Sequence, residues 1–361
     1  MAERTDLRIL ADDLTGALDS AAAFATPLNP IPVFWHPIRA LEAMAAIDAG
    51  TREMDGASAI RRHGSLADWL LDGGPAFKKI DSLMRGNWAV ELAALSMRMP
   101  GWRLVVAPAF PFQRRVTRAG CQWQMDGEQP LGGDIAATLR AAGLVNADIR
   151  VHDAETDADL DAVVAREMSG GQRVLWVGTG GLAAALARAQ PASPPASGPP
   201  VAPRGRGPVL ALIGSHHPVM RAQIDHAAAP DPRRHVRLSA DPSGIGVVLE
   251  RLGQGLSCIV TVAFEGARAA AATVIAERFS HLLAHCPPPG TLFVSGGETL
   301  RDVADAIGAD SLAVEGAREP GLAVSHLRGG RFEGVRVLSK SGGFGRPDLL
   351  RALFDEASES S

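Results

Sequence analysis

Thr291-Leu292-Phe293-Val294-Ser295-Gly296-Gly297-Glu298-Thr299-Leu300 is the stretch on which the fold of this chain turns. The apolar run Thr291 to Val294 reads as a buried strand, and Leu300 to Ile307 is apolar at helical spacing. Between them the glycines let backbone N–H groups approach a bound anion, and the helix N-terminus points at the same place. A second glycine segment, Lys340-Ser341-Gly342-Gly343-Phe344-Gly345, follows the apolar run Val335 to Leu338. Two such turns in one domain suggest a nucleotide phosphate site. Neither is GxxxxGK[ST] nor a strict GxGxxG, so the glycines alone are equally compatible with tight turns that bind nothing.

The same alternation extends outward in both directions. Strands are predicted at Arg8–Ala11, Ala76–Ile80, Arg103–Ala107 and Arg173–Val177, then at Val209–Ile213, Cys258–Val262, Leu292–Val294 and Val335–Leu338. Helical periodicity follows at Gly16–Phe24, Asn87–Met97, Gly181–Ala189, Pro218–His226 and Ala269–His285. This pattern predicts an α/β protein of two domains, each with a mostly parallel sheet flanked by helices. The stretch QPASPPASGPPVAPRGRGP at 190–208 is dense in Pro, Ala, Ser and Gly and reads as a linker. The expected division is 1–190, a linker at 191–208, and 209–361. A length of 361 residues suits two cores better than one.

Composition narrows the function. With 46% hydrophobic and 21% charged residues and a formal charge of −4, the chain reads as soluble and globular, and nothing in it invites nucleic acid. No run of about 18 apolar residues is present, so no membrane span is expected. No apolar signal segment follows Met1, and Cys121, Cys258 and Cys286 form no CxxC or Cys/His cluster; a cytoplasmic protein with reduced thiols is expected. The absence of tyrosine removes any Tyr-based catalytic group.

Ligands of parallel sheets sit beyond the carboxyl ends of the strands, and charged residues crowd there in the first half. The first strand ends in Ala11-Asp12-Asp13-Leu14-Thr15-Gly16, with Asp19 one turn on. Capping a helix accounts for one Asp; two adjacent carboxylates call for a cation, a substrate hydroxyl or Mg²⁺. Another strand ends in Lys78-Lys79-Ile80-Asp81-Ser82-Leu83-Met84-Arg85-Gly86-Asn87, which suits a small, anionic, hydroxylated ligand. Thr51-Arg52 is a weaker signal. Arg114, Arg115 and Arg118 form a basic cluster that suits phosphate or a solvated loop equally well. His216 and His217 are adjacent and make a poor metal pair.

These segments resemble the four-carbon acid sugar kinases. The matching stretches are LADDLTGALDS at 10–20, TRE at 51–53, KKIDSLMRGN at 78–87, APAFPFQRRVTRAG at 107–120, VGTGGLAAALA at 177–187, GSHHPVMRAQI at 214–224, SGGETLRDV at 295–303, EPGLAVSHLRGG at 319–330 and KSGGFG at 340–345. The resemblance implies a sugar-acid-binding N-terminal domain and a nucleotide-binding C-terminal domain. It also implies phosphorylation of the terminal hydroxyl of threonate, erythronate or a 3-oxo-tetronate with ATP. On the sugar-acid side it covers Asp12, Asp13, Arg52, Lys79, Ile80, Asp81, Ser82 and Arg85. On the nucleotide side it covers Ser215, Gly297, Glu298, Thr299, Leu300, Gly342 and Gly343. The chain departs from the family's Gly-Ser-Cys-Ser with Gly-Ser-His-His at 214–217, which removes a hydroxyl at 217.

On this reading Arg52, Lys79 and Arg85 hold the substrate carboxylate, and one of Asp12, Asp13 or Asp81 accepts the hydroxyl proton, with Asp13 favoured as nearest the helix start. The glycine turns hold ATP with Mg²⁺; no residue is assigned to the metal. The active site is expected in the cleft between the domains, and homo-oligomerisation is left open. Two other classes stay in view. GTGGLA at 178–183 resembles a dinucleotide turn, as a nucleotide-dependent oxidoreductase would need, but no acidic residue follows at the required distance. A non-catalytic sugar-acid sensor would keep the fold without ATP turnover.

Overall fold

The computed structural model describes residues 7–36, 44–72, 74–190, 207–239, 241, 243–264 and 268–359. Two compact units divide the chain at residues 1–196 and 197–361. Of the predicted linker, residues 191–206 lie outside the described residues.

The N-terminal unit runs β1 (Arg8–Ala11), α1 (Leu14–Phe24), β2 (Ile31–Phe34), β3 (Ala45–Asp48), α2 (Gly56–Leu71), β4 (Ala76–Lys79) and α3 (Trp88–Ser96). It continues with β5 (Arg103–Ala107), β6 (Arg115–Arg118), β7 (Cys121–Gln124), α4 (Ile135–Ala141), β8 (Asp148–Val151), α5 (Asp157–Met168), β9 (Val174–Gly178) and α6 (Gly180–Ala189). Seven strands pair in the order β2-β3-β1-β4-β9-β5-β8, all parallel. Strands β6 and β7 form a separate antiparallel hairpin. Every residue of β1, β3, β4 and β5 is buried, the continuous burial of a parallel sheet covered on both faces. One core cluster joins Leu10, Ile47, Ile80, Leu92 and Val106.

The C-terminal unit runs β10 (Val209–Ile213), α7 (Pro218–Ala228), β11 (His235–Leu238), α8 (Ser243–Gly253), β12 (Cys258–Val262), α9 (Arg268–His285), β13 (Thr291–Ser295) and α10 (Gly297–Ala306). It ends with β14 (Ser311–Glu319), β15 (Leu322–Arg328), β16 (Arg336–Lys340) and α11 (Leu349–Glu359). Strands β11-β12-β10-β13-β16 are parallel, and β15 and β14 extend the sheet antiparallel. Its core gathers Ile213, Met220, Phe293, Leu338, Leu350 and Phe354. The eight predicted strands are all present within a residue or two at each end. The antiparallel pair β14–β15, which the glycine-centred reading passed over, closes with Gly321 at φ +82°, a turn conformation that favours glycine.

Lys340, the last residue of β16, is 1% exposed, with Nζ 5.9 Å from the Phe293 ring centroid and 3.5 Å from Met220 Sδ. Burial pushes its pKa down to about 7, and Glu319 opposes that only in part. The unfolded chain, with a lysine value of 10.5, therefore binds one more proton than the native state between those limits. Stability from this residue is present in full above the unfolded value and is lost as pH falls through the folded one. We expect urea midpoints of the wild type to rise between about pH 7 and pH 8.5, below the range where Cys258 and Cys286, pushed up to about 12 and about 11 by burial, act in the opposite sense. Lys340→Met should remove a slope of up to about 1.4 kcal/mol per pH unit. Parallel slopes for the two proteins would show that Lys340 binds its proton as readily in the native state as in the unfolded one.

Candidate functional site

In the N-terminal unit the adjacent strands β3, β1 and β4 run parallel, so the segments after their carboxyl ends lie at one edge of the sheet. The amides of Thr51 and Arg52 both donate to the Asp12 carbonyl, tying the segment after β3 to the end of β1. From there Arg52 reaches three carboxylates. Its Nε and Nη2 each lie 2.8 Å from an oxygen of Asp12, Nη2 is 2.8 Å from Asp13 Oδ1, and Nη1 is 3.7 Å from Asp81 Oδ1. Asp81 also binds Arg85 through both its oxygens, at 2.7 and 2.9 Å. Arg52 and Arg85 are thus turned onto the protein's own carboxylates.

Burial by itself would raise the pKa of Asp12, but the charge of Arg52, helped by Lys78, holds it below the ordinary carboxylate range. Asp81 is held low in the same way against its own burial, by hydrogen bonds from Arg85 and the charge of Arg52. Both acids are therefore ionised at neutral pH. Asp13 differs in geometry. Its Oδ1 caps α1, accepting from the Gly16 amide at 2.9 Å as well as from Arg52, while its Oδ2 carries no hydrogen bond among the described residues.

The remaining predicted residues take distinct places. Lys79 Nζ donates to the Ile80 carbonyl at 2.8 Å and lies under Gly16. Ile80 is fully buried, and its amide donates to Gly178, so it contributes backbone and spacing. Ser82 Oγ accepts from Arg115, and the Ser82 carbonyl accepts from Gln122 at 3.3 Å. Gly86, at φ +80°, leaves the Arg52 backbone in contact with the entry of α3; a Cβ there would sit 3.2 Å from the Arg52 carbonyl.

A layer behind Arg52 was not singled out in the sequence. Glu91 of α3 accepts from Thr51 Oγ1 and pairs with Lys78 Nζ at 2.9 Å, with both side chains wholly buried. His63 lies 3.5 Å from the same Glu91 oxygen; burial and Lys78 push its pKa down to about 2, so it is neutral. Asn87, one turn before Glu91, donates to the carbonyls of Thr51 and Met54. The first residues of α3 therefore hold the turn that carries Arg52. The available signal was a pair of Lys in a buried strand and a lone Glu in an apolar helix, since such charges persist inside only as partners.

In the C-terminal unit β10, β13 and β16 are neighbours and all parallel, so Gly214-Ser215, Gly296-Gly297 and Ser341-Gly342-Gly343 emerge along one edge. The contacts among them leave no room for side chains at Gly214 and Gly342 and little at Gly343. A Cβ on Gly214 would overlap Thr299 Oγ1, one on Gly342 would overlap Ser215 Oγ, and one on Gly343 would lie 3.3 Å from His217 Nε2. Gly296 is the N-cap of α10 at φ +112° and supplies no side-chain hydrogen bond to the helix, whose first amides remain open to a ligand. Glu298 is exposed and Thr299 buried, while Leu300 faces the core and uses its amide within the helix. The helix begins at Gly297, three residues before the expected Leu300, because the glycine turn is itself its first turn. His217 caps α7, its Nδ1 accepting from the Val219 amide.

The GTGGLA glycines serve packing. A Cβ on Gly178 would lie 2.7 Å from the Ala107 carbonyl, and one on Gly181 would lie 2.5 Å from that of Ala109. These glycines let α6 seat closely on its neighbours.

Known proteins match both units. A family model described as a sugar-binding N-terminal domain fits residues 7–150, and one described as a nucleotide-binding C-terminal domain fits residues 248–350. The chain is 30% identical to a D-threonate kinase of Cupriavidus necator, with 98% of both chains covered, and 26% identical to a D-erythronate kinase of Heliobacterium modesticaldum, with 96% of both covered. In fold it is similar to a crystal structure from Salmonella typhimurium, with a TM-score of 0.73 at 19% identity over 97% of this chain and 99% of that one. A Haemophilus influenzae protein gives 0.69 at 18% identity over 98% and 99%. With two domain models matched in order and a relative at this identity covered almost end to end, the chain belongs to the four-carbon acid sugar kinase family.

Proposed function

We propose that this protein is an ATP-dependent kinase that phosphorylates the terminal C4 hydroxyl of a four-carbon sugar acid such as threonate, erythronate or a 3-oxo-tetronate. The observation that carries the reading is the edge formed by β10, β13 and β16, where side chains are excluded at Gly214 and Gly342 beside an uncapped helix N-terminus. Backbone amides in that arrangement suit the phosphates of ATP, with Ser215 and Thr299 as hydroxyl partners. Its counterpart in the N-terminal unit is a set of carboxylates and cations suited to an anionic polyol.

Magnesium fits as the companion of the nucleotide. Among the described residues no group of three His, Cys, Asp or Glu side chains forms a metal cage, and the oxygens of Asp12 and Asp81 are engaged by guanidinium groups. Mg²⁺ commonly keeps several waters and binds through substrate phosphates with one or two carboxylates. When bound, it neutralises charge on the transferring phosphoryl group.

The protein's own part is positioning and proton acceptance. Asp13 is the general base of this proposal, because its Oδ2 is open while its Oδ1 is anchored by Arg52 and the helix amide. Asp12 and Asp81 orient Arg52 and the Asp81–Arg85 turn. Phosphoryl transfer through a loose transition state asks mainly for alignment, so a fixed carboxylate at the hydroxyl suffices.

The direct test is ADP release with Mg²⁺ against threonate, erythronate and 3-oxo-tetronates. Measured binding of such an acid without turnover would favour a non-catalytic sensor. Asp13→Asn retains a good helix cap and removes the charge. We expect it to lower kcat by about 10²–10⁴ with little change in KM for the acid; a near-normal kcat would move the base to Asp12 or Asp81. Gly342→Ala drives a methyl group into Ser215, and KM for ATP should rise by at least about tenfold (1.4 kcal/mol) while KM for the acid holds. An unchanged ATP KM in a folded Gly342→Ala protein would remove this edge as the phosphate site.

A further inference from the structure

Four cations gather at the edge of the N-terminal sheet: Arg52, Lys79, Arg85 and Arg115. The carboxylates in contact with the first three or beside them are Asp12, Asp13 and Asp81. Arg52 and Arg85 are committed to those acids, and Lys79 is packed beneath Gly16 on the Asp13 side. Arg115 is different. Its backbone is fixed by hydrogen bonds with Phe110 in both directions, at 2.8 and 3.1 Å, and by pairing with Gln124 across the β6–β7 hairpin. Its Nη1 donates to Ser82 Oγ, and its Nε is buried without a hydrogen-bond partner among the described residues.

The arginines around it show what a satisfied side chain looks like here. Arg114 pairs with Asp126, and Arg118 holds Glu155 through two hydrogen bonds. Among the described residues Arg115 has no such carboxylate. Burial lowers its pKa, the charge of Asp81 acts against that, and Arg85 adds to it. A half-buried guanidinium with no carboxylate in direct contact gains when an anion arrives from outside, and its planar fork matches a carboxylate.

We infer that Arg115, with the Ser82 hydroxyl beside it, receives the carboxylate of the sugar acid. The inference rests on the sugar-acid reading of this site and assigns the anion to a residue other than Arg52. On this assignment Asp13 and Arg115 serve opposite ends of one short chain, the hydroxyl and the carboxylate.

The test compares threonate and erythronate with threitol and erythritol, in which a neutral CH₂OH replaces the carboxylate. It uses wild type, Arg115→Gln, Arg115→Lys and, as a control on the exposed neighbour, Arg114→Gln. We expect Arg115→Gln to raise KM for the acid by about 10²-fold or more, with KM for ATP and the weak kcat/KM for the tetritol nearly unchanged. Arg115→Lys should recover part of the loss, and Arg114→Gln should behave as wild type. Equal losses for acid and tetritol, or an unaltered acid KM in a protein of native melting temperature, would overturn the assignment. Should wild type release no ADP with any acid, the kinase reading falls, and calorimetric binding of threonate decides Arg115 separately: binding lost in Arg115→Gln supports the assignment, and binding retained overturns it.

Discussion

Arg52 brings one guanidinium against Asp12, Asp13 and Asp81, and the N-terminal site depends on that contact. Three carboxylates at neighbouring strand ends would repel one another, and burying them unpaired would cost several kcal/mol each. The guanidinium removes the repulsion and fixes the positions of the acids with directed hydrogen bonds. Because the Asp12 carbonyl also binds the amides of Thr51 and Arg52, backbone and side chain fix the same relation twice. Glu91, Lys78 and Asn87 complete the arrangement from behind by holding Thr51, so the turn that carries Arg52 is fixed by hydrogen bonds of its neighbour as well as its own.

The two units use one architecture for opposite chemistry. Both collect loops at the carboxyl edge of parallel strands. In the N-terminal unit the edge is built from long charged side chains that neutralise one another almost completely. In the C-terminal unit it is built from backbone, with glycines pressed against Thr299, Ser215 and His217 so that amides rather than side chains face outward. A charged lattice can distinguish hydroxyl from carboxylate on a small acid. A backbone cradle suits a phosphate chain, whose oxygens repeat and whose charge is large.

Much of this was legible in the sequence, and the exceptions have physical causes. Strands buried on both faces read as short apolar runs, so β1, β5, β10 and β12 could be drawn directly. Glycine turns and paired acids at their ends marked the edges. What the residues did not disclose was pairing in space. Arg52 reads as a ligand-binding residue from its motif, and nothing in a one-dimensional pattern shows that Asp12, Asp13 and Asp81 also close on it. Arg115 looked like one of a basic cluster, because its neighbours' partners, Asp126 and Glu155, lie 12 and 37 positions away. Strand β14 carries Gly316, the turn to β15 holds Gly321, and their register shifts, which blurs the alternation.

The all-parallel order β3-β1-β4 has a consequence for how the chain reaches its native state. Asp12, Arg52 and Asp81 meet only after two crossovers of about 30 to 40 residues have closed, and such non-local contacts slow folding because loop entropy is lost before they form. β4 and the segment after it carry Lys78, Lys79 and Arg85 with Asp81, so cations already face Asp12 and Asp13 when β1 pairs with β4. Arg52 arrives with the segment after β3 and adds directed hydrogen bonds to an attraction that exists without it. The last non-local contact of this unit therefore sharpens the geometry of the acids more than it draws the strands together.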